Sequence, residues 1–318
     1  MSQPDETPAA GPQAREAQER EAAQRRGYGF PPWLPLVRVL KIAAVIPNWA
    51  WRPIIRFAGW WSVWRGYRAA RQWRVNATVM MGRQPSAAET RAAMRSWFRN
   101  LLGSIRLGRY SRAQILQQVS VDEASARLLR DAWEAGQVVI ALPHMGDWDL
   151  AGAWTCAVGI PVSSVAERLP DDEFEYFMAI RRRVGMTIYS HKDRDSMAKL
   201  ANDLQNGRLV ALVADRDLSR HSVPVTWQTP SGPQAVTMPP GPAVLARQTG
   251  AQLLVAQSTY DGPRGMTLRF LGPVEVDDGP DGVAVTTQRL ADFFARLVAE
   301  KPVDWHLMQR FFPNPAPA

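Results

Sequence analysis

The chain has 318 residues, 46% of them hydrophobic, enough for one large domain or two small ones. Its single cysteine, Cys156, excludes a disulfide framework and a cysteine-built zinc site. The net charge of +8 is unevenly laid out: residues 31–112 hold fourteen Arg and one Lys against one acid, Glu89, and eight of the thirteen tryptophans.

Residues 1–30 are Ala, Gln, Glu, Arg and Pro with few large apolar side chains, and they read as a disordered tail with no signal-peptide core. Residues 31–112 follow a helical pattern. Met94, Trp97, Phe98, Leu101, Leu102 and Ile105 recur at three- and four-residue spacing, one apolar stripe, with Arg91, Arg95 and Arg99 on another line. The segment "VRVLKIAAVIPNWAWRPIIRFAGWW" is interrupted by Arg38, Lys41, Arg52, Arg56 and two prolines. A spanning helix needs about 20 largely apolar residues, which this stretch does not supply. The expectation is a surface-associated region.

From residue 113 to 312 strands and helices alternate. "VVIALP" (138–143) reads as a buried strand, followed by a helix over Trp148–Val158. "PVSSVAE" (161–167) is a second strand, with a helix from Asp172 to Val184; "MTIYS" is a third, with a helix from Ser196 to Gln205. "RLVALVAD" (208–215), "QLLVAQST" and "TLRFLG" complete the strands, and Thr286–Ala299 is an amphipathic helix. Residues 313–318 are a short tail. The pattern predicts an α/β fold, a mostly parallel sheet flanked by helices. Ligands of such sheets sit beyond the carboxyl ends of the strands. His144, Glu167 and Asp215 each fall at one.

His144 and Asp149 lie in "LPHMGDWDLAG" at H-x4-D spacing. If a helix starts near Gly146, the Asp149 carboxylate can fold back onto one imidazole nitrogen and leave the other facing a cleft, the arrangement of a general base. Gly146 would let a substrate approach the backbone, and free amides at the helix start would hold an oxyanion. The bland alternative is a histidine that satisfies a helix N-terminus; the spacing alone does not decide. No G-x-S-x-G, Walker-type or H-E-x-x-H motif is present. Cys156 reads as a core residue. Glu167 with Arg168, Arg182 among three successive arginines, and Asp215, Arg216 and Asp217, charges placed directly after a buried strand, are candidate substrate-binding groups; the alternative is a surface ion pair for the first pair and a solvated face for the arginines. In "DWHLMQRFF" Trp305, His306 and Gln309 read as packing.

"LPHMGDWDLAG", "VAERL", "VADRDL" and "WHLMQRFF", in this order and spacing, resemble the bacterial lipid A late-acyltransferase family, most of all its actinobacterial phosphatidylinositol mannoside acyltransferases. The similarity runs from about Leu34 to Phe312. It implies a glycerolipid-acyltransferase-like α/β core with an N-terminal helical membrane-associating region, placed peripherally on the cytoplasmic face of the inner membrane. It further implies transfer of an acyl chain from acyl-coenzyme A, a co-substrate, to a mannose hydroxyl of phosphatidylinositol mannoside, with no cofactor or metal. His144 would match the base and Asp149 the acid that orients it. Glu167, Arg168, Asp215, Arg216 and Asp217 would fall in substrate-cleft motifs, with either acid of the "DRD" triplet available to the acceptor. Another glycolipid or lysophospholipid acceptor remains open. Two non-enzymatic readings, an anionic-membrane binder or a single-strand nucleic-acid binder, account only for the basic, tryptophan-rich third; no nucleic-acid module appears there.

Overall fold

The computed structural model describes residues 36–167, 171–216, 222–262 and 265–313. The expected disordered tail, residues 1–30, lies outside them, as do Arg168 and Asp217. Four helices open the described chain: α1 (Leu36–Val45), α2 (Asn48–Trp64), α3 (Arg68–Met81) and α4 (Ala87–Arg106). Helix α4 begins where Ser86 and Glu89 form a reciprocal cap: Ser86 Oγ accepts from the Glu89 amide, and Glu89 accepts from the Ser86 amide. Trp73, Ala77, Ala93 and Met94 pack α3 against α4.

The chain then enters the alternating part: α5 (Arg112–Gln118), β1 (Val119–Ser120), α6 (Glu123–Ala135), β2 (Val138–Leu142), α7 (Trp148–Ala157), β3 (Val162–Ala166) and α8 (Asp171–Arg183). It continues with β4 (Thr187–Ser190), α9 (Ser196–Gln205), β5 (Leu209–Val213), β6 (Val223–Trp227), β7 (Gln234–Met238) and α10 (Gly241–Thr249). Strands β8 (Gln252–Asp261) and β9 (Gly265–Val274), helix α11 (Gly282–Glu300) and a short 3-10 turn, Pro302–Asp304, follow.

Seven strands form one sheet in the order β1-β9-β8-β2-β5-β3-β4, parallel except for the β8–β9 pair. The sheet separates two cores by simple alternation. Val139 and Ala141 of β2 face one layer with Val210, Leu212, Leu253 and Val255; Val138, Ile140 and Leu142 face the other with Leu254 and Ala256. Strands buried on both faces read as continuous apolar runs, which is why "VVIAL" carries no polar residue. Half-buried Cys156 packs against the second of these cores.

The α/β class and the mostly parallel sheet are as expected. Elements that were not named include α5, β1, α6, the antiparallel β6–β7 hairpin and helix α10. Pro224 hides β6 in the sequence, since proline is tolerated only at a sheet margin, and the two-stranded β6–β7 sheet has nothing but margins.

Candidate active site

Strands β2 and β5 are hydrogen-bonded neighbours although they are far apart in sequence. Their register pairs Leu142 with Val213, and the Ala214 amide donates to the Leu142 carbonyl at 2.9 Å. Two residues past each strand end therefore stand side by side, and they are His144 and Asp215. Nδ1 of His144 lies 2.5 Å from Asp215 Oδ1, and the His144 amide donates to Asp215 Oδ2 at 3.0 Å. The indole Nε1–H of Trp305 donates to the same Oδ2 at 2.8 Å.

Asp215 is fully buried, and its side of the pair is charge-stabilised. Burial pushes the carboxyl up, but the His144 imidazole and the hydrogen bonds from His144 and Trp305 outweigh it and hold the carboxyl below its ordinary range. The His144 side chain is 22% exposed, so it reaches solvent while its partner does not. With Nδ1 held by the carboxylate, Nε2 is the nitrogen left for a reacting group. The edge of Trp148 meets the imidazole at 5.1 Å between ring centroids.

Asp149 is not the partner of the imidazole. It sits in the first turn of α7, and both its oxygens are taken by Arg181 of α8: Nε to Oδ1 at 2.7 Å and a terminal guanidinium nitrogen to Oδ2 at 2.9 Å. Both members are largely buried. Helix α7 starts at Trp148, as expected, with Asp147 as N-cap accepting from the Leu150 amide at 2.9 Å. In that first turn the Asp149 carboxylate faces α8 and not His144. Asp147 is buried beside it, and burial together with the Asp149 charge pushes its carboxyl up to about 7.

The expected role of Gly146 changes as well. Its φ of +57° suits glycine, but a Cβ there would meet the Ser258 carbonyl oxygen at 2.5 Å. The close approach is to β8, not to a substrate. Of the amides around the helix start, three are committed: Gly146 donates to the Asp304 carbonyl, Met145 to Pro143, and Leu150 to Asp147.

Glu167 and Arg216, at the ends of neighbouring β3 and β5, form an ion pair at 3.4 Å. Arg182 is 60% exposed and pairs with Glu175 on its own helix, while Arg181 turns inward to Asp149. The exposed pair is a weak contributor. Arg168 and Asp217 lie outside the described residues. A cleft of about 190 Å³ adjoins Arg216, lined also by Thr237, Leu307, Gln309, Arg310 and Phe311.

The C-terminal segment, read as packing from the sequence, is part of the site. Met145 bridges Trp305, and the His306 amide donates to the His144 carbonyl at 2.8 Å. Ser96 of α4 donates its one proton to Asp304 at 2.6 Å and also lies 2.8 Å from His306 Nε2. His306 Nε2 must then carry a proton and donate, leaving Nδ1 bare. Burial and the nearby His144 push His306 down to about 3, so it stays neutral.

The comparisons with known proteins converge. The family described as "Bacterial lipid A biosynthesis acyltransferase" matches residues 21–313. A phosphatidylinositol mannoside acyltransferase of Mycolicibacterium smegmatis is 34% identical over 245 residues, covering 75% of this chain and 78% of that protein. One from Mycobacterium tuberculosis H37Rv is also 34% identical over 245 residues, covering 75% of each chain.

Proposed function

Since the chain belongs to the bacterial lipid A biosynthesis acyltransferase family and is an acyltransferase, we propose that it moves an acyl chain from acyl-coenzyme A to a mannose hydroxyl of phosphatidylinositol mannoside. The observation that carries this reading is the His144–Asp215 pair at adjoining parallel strand ends, with the imidazole open on its Nε2 side. The 34% identity to phosphatidylinositol mannoside acyltransferases supports the choice of acceptor.

In this mechanism His144 Nε2 takes the proton of the sugar hydroxyl as its oxygen attacks the thioester carbonyl. The carbon–sulfur bond breaks, and the departing thiolate takes the proton back from the imidazolium. Products are an ester and free thiol. Asp215 stabilises the imidazolium, as a buried carboxylate does beside a base. Asp149, with Arg181, fixes α7 against α8 and so acts on the site only through the fold. Glu167 and Arg216 offer a carboxylate for sugar hydroxyls and a guanidinium for phosphate. A site built to bond hydroxyls rejects acceptors that lack them. Mass spectrometry after incubation with palmitoyl-coenzyme A and a panel of acceptors should therefore show acylated phosphatidylinositol mannoside and little acylated phosphatidylinositol. Preferred acylation of lysophosphatidic acid or a lipid A precursor would overturn the acceptor and leave the acyltransferase standing.

The same reading puts the enzyme on the cytoplasmic face of the membrane. Among the described residues no helix is long and apolar enough to cross a bilayer. Helix α2 nevertheless exposes Trp49, Phe57, Trp60, Trp61 and Trp64, and α1 exposes Ile42 and Val45. Indoles on a helix surface, flanked by arginine, suit insertion at the headgroup level. Arg65 lies 5.8 Å from both the Trp61 and the Trp64 rings. Co-sedimentation should show binding to anionic vesicles that weakens with salt, because charges are screened beyond about 8 Å at physiological ionic strength. Equal, salt-insensitive binding to zwitterionic vesicles would contradict the electrostatic part.

A further inference from the structure

Asp215 receives three hydrogen bonds, and the one from Trp305 comes from a residue outside the strand-end turns. Two of them, from the His144 amide and the Trp305 indole, end on Oδ2. Together they fix the plane of the carboxylate and leave Oδ1 to the imidazole. The indole is placed independently of Asp215. Its ring is fully buried, stacked on Trp227 at 6.3 Å and met edge-on by Phe311 at 5.4 Å. Its carbonyl accepts from the Trp73 indole at 3.1 Å, and its neighbour His306 donates to the His144 carbonyl. A donor held so firmly imposes its geometry on the acceptor.

We propose that Trp305 is a positioning residue for the acyl-transfer pair: its indole N–H, anchored by α3, Trp227 and Phe311, aims the Asp215 carboxylate at His144 and tempers its charge. The inference rests on the function proposed above. Trp305 touches neither donor nor acceptor in this account and acts only through Asp215. Among the described residues, the titratable groups beside the pair include His306, neutral and buried, and Arg216, next to Asp215 in the chain and ion-paired with Glu167. Neither takes the place of the indole on Oδ2.

A hydrogen bond to an ionised carboxylate stabilises its charge, so deleting the donor makes the carboxylate a stronger partner of the imidazolium. Trp305→Phe in the full chain removes the N–H and keeps an aromatic ring between Trp227 and Phe311. It should lower kcat roughly tenfold, with KM for palmitoyl-coenzyme A and mannolipid changed by no more than about twofold. The acidic limb of kcat/KM should move to higher pH by about half a unit. The proton between His144 Nδ1 and Asp215 should move further downfield in the NMR spectrum, a readout that needs no turnover. If Phe fails to fold, benzothienylalanine at position 305 keeps the bicyclic shape and replaces N–H by sulfur, with the same expectations. Unchanged kcat, pH limb and proton resonance in a folded variant overturn the proposal, as does a loss of activity that only follows the unfolded fraction. If the wild-type protein transfers no acyl group, the function is wrong, and the NMR comparison alone still judges Trp305.

Discussion

His144→Ala should lower acyl transfer by at least about a thousandfold while leaving the circular dichroism spectrum intact and the melting temperature within a few degrees. General acid–base groups typically contribute about 10²–10⁴ in rate, and in the proposed mechanism one imidazole serves as base toward the hydroxyl and acid toward the thiolate. The fold has little reason to collapse, because the side chain lies partly exposed at the end of β2 and the strand's apolar residues are untouched. Product formation measured beside the melt decides it. More than a tenth of wild-type turnover in the variant would remove His144 from the chemistry.

The second large effect separates two carboxylates that the sequence places within one motif's reach of confusion. Asp215→Asn should cost about 10²–10⁴ in kcat, because an amide neither stabilises the imidazolium nor enforces the tautomer. Asp149→Ala should act on stability. Its loss strands the Arg181 guanidinium, which burial alone would disfavour and which Asp149 keeps firmly charged. Removing one member of a buried ion pair costs about 3–5 kcal/mol, and for a domain of this size that is a fall of roughly 10 °C in Tm. Per folded molecule, Asp149→Ala should keep turnover within a few-fold of wild type. Thermal melts and kcat for both variants test this. An inactive Asp149→Ala with wild-type Tm, beside an active Asp215→Asn, would return the orienting role to Asp149.

Much of this site could be read from one strand ending. The apolar runs of β2 and β5 stand out, and each delivers a chemical residue two positions past its end. What the sequence does not carry is that β2 and β5 are neighbours, since β3 and β4 intervene in the chain. The H-x4-D spacing invites a local pairing, and one long-range contact breaks it: both oxygens of Asp149 are taken by Arg181 of α8. Trp305 was visible as an aromatic but not as a donor, because its contact with Asp215 spans 90 positions. Arg181 and Arg182 are indistinguishable in a run of three arginines. One helical step decides that the first is buried against Asp149 and the second faces Glu175. The β6–β7 hairpin escaped because Pro224 and the "TPSGP" turn mask a short antiparallel pair.

The central claim, acceptor-dependent acyl transfer by His144, is tested most directly by thiol release from palmitoyl-coenzyme A with and without phosphatidylinositol mannoside. The wild-type protein should release thiol only when the mannolipid is present, in step with the acylated product, and His144→Ala should release almost none. Thiol release at the same rate without acceptor, or retained in His144→Ala, would contradict it.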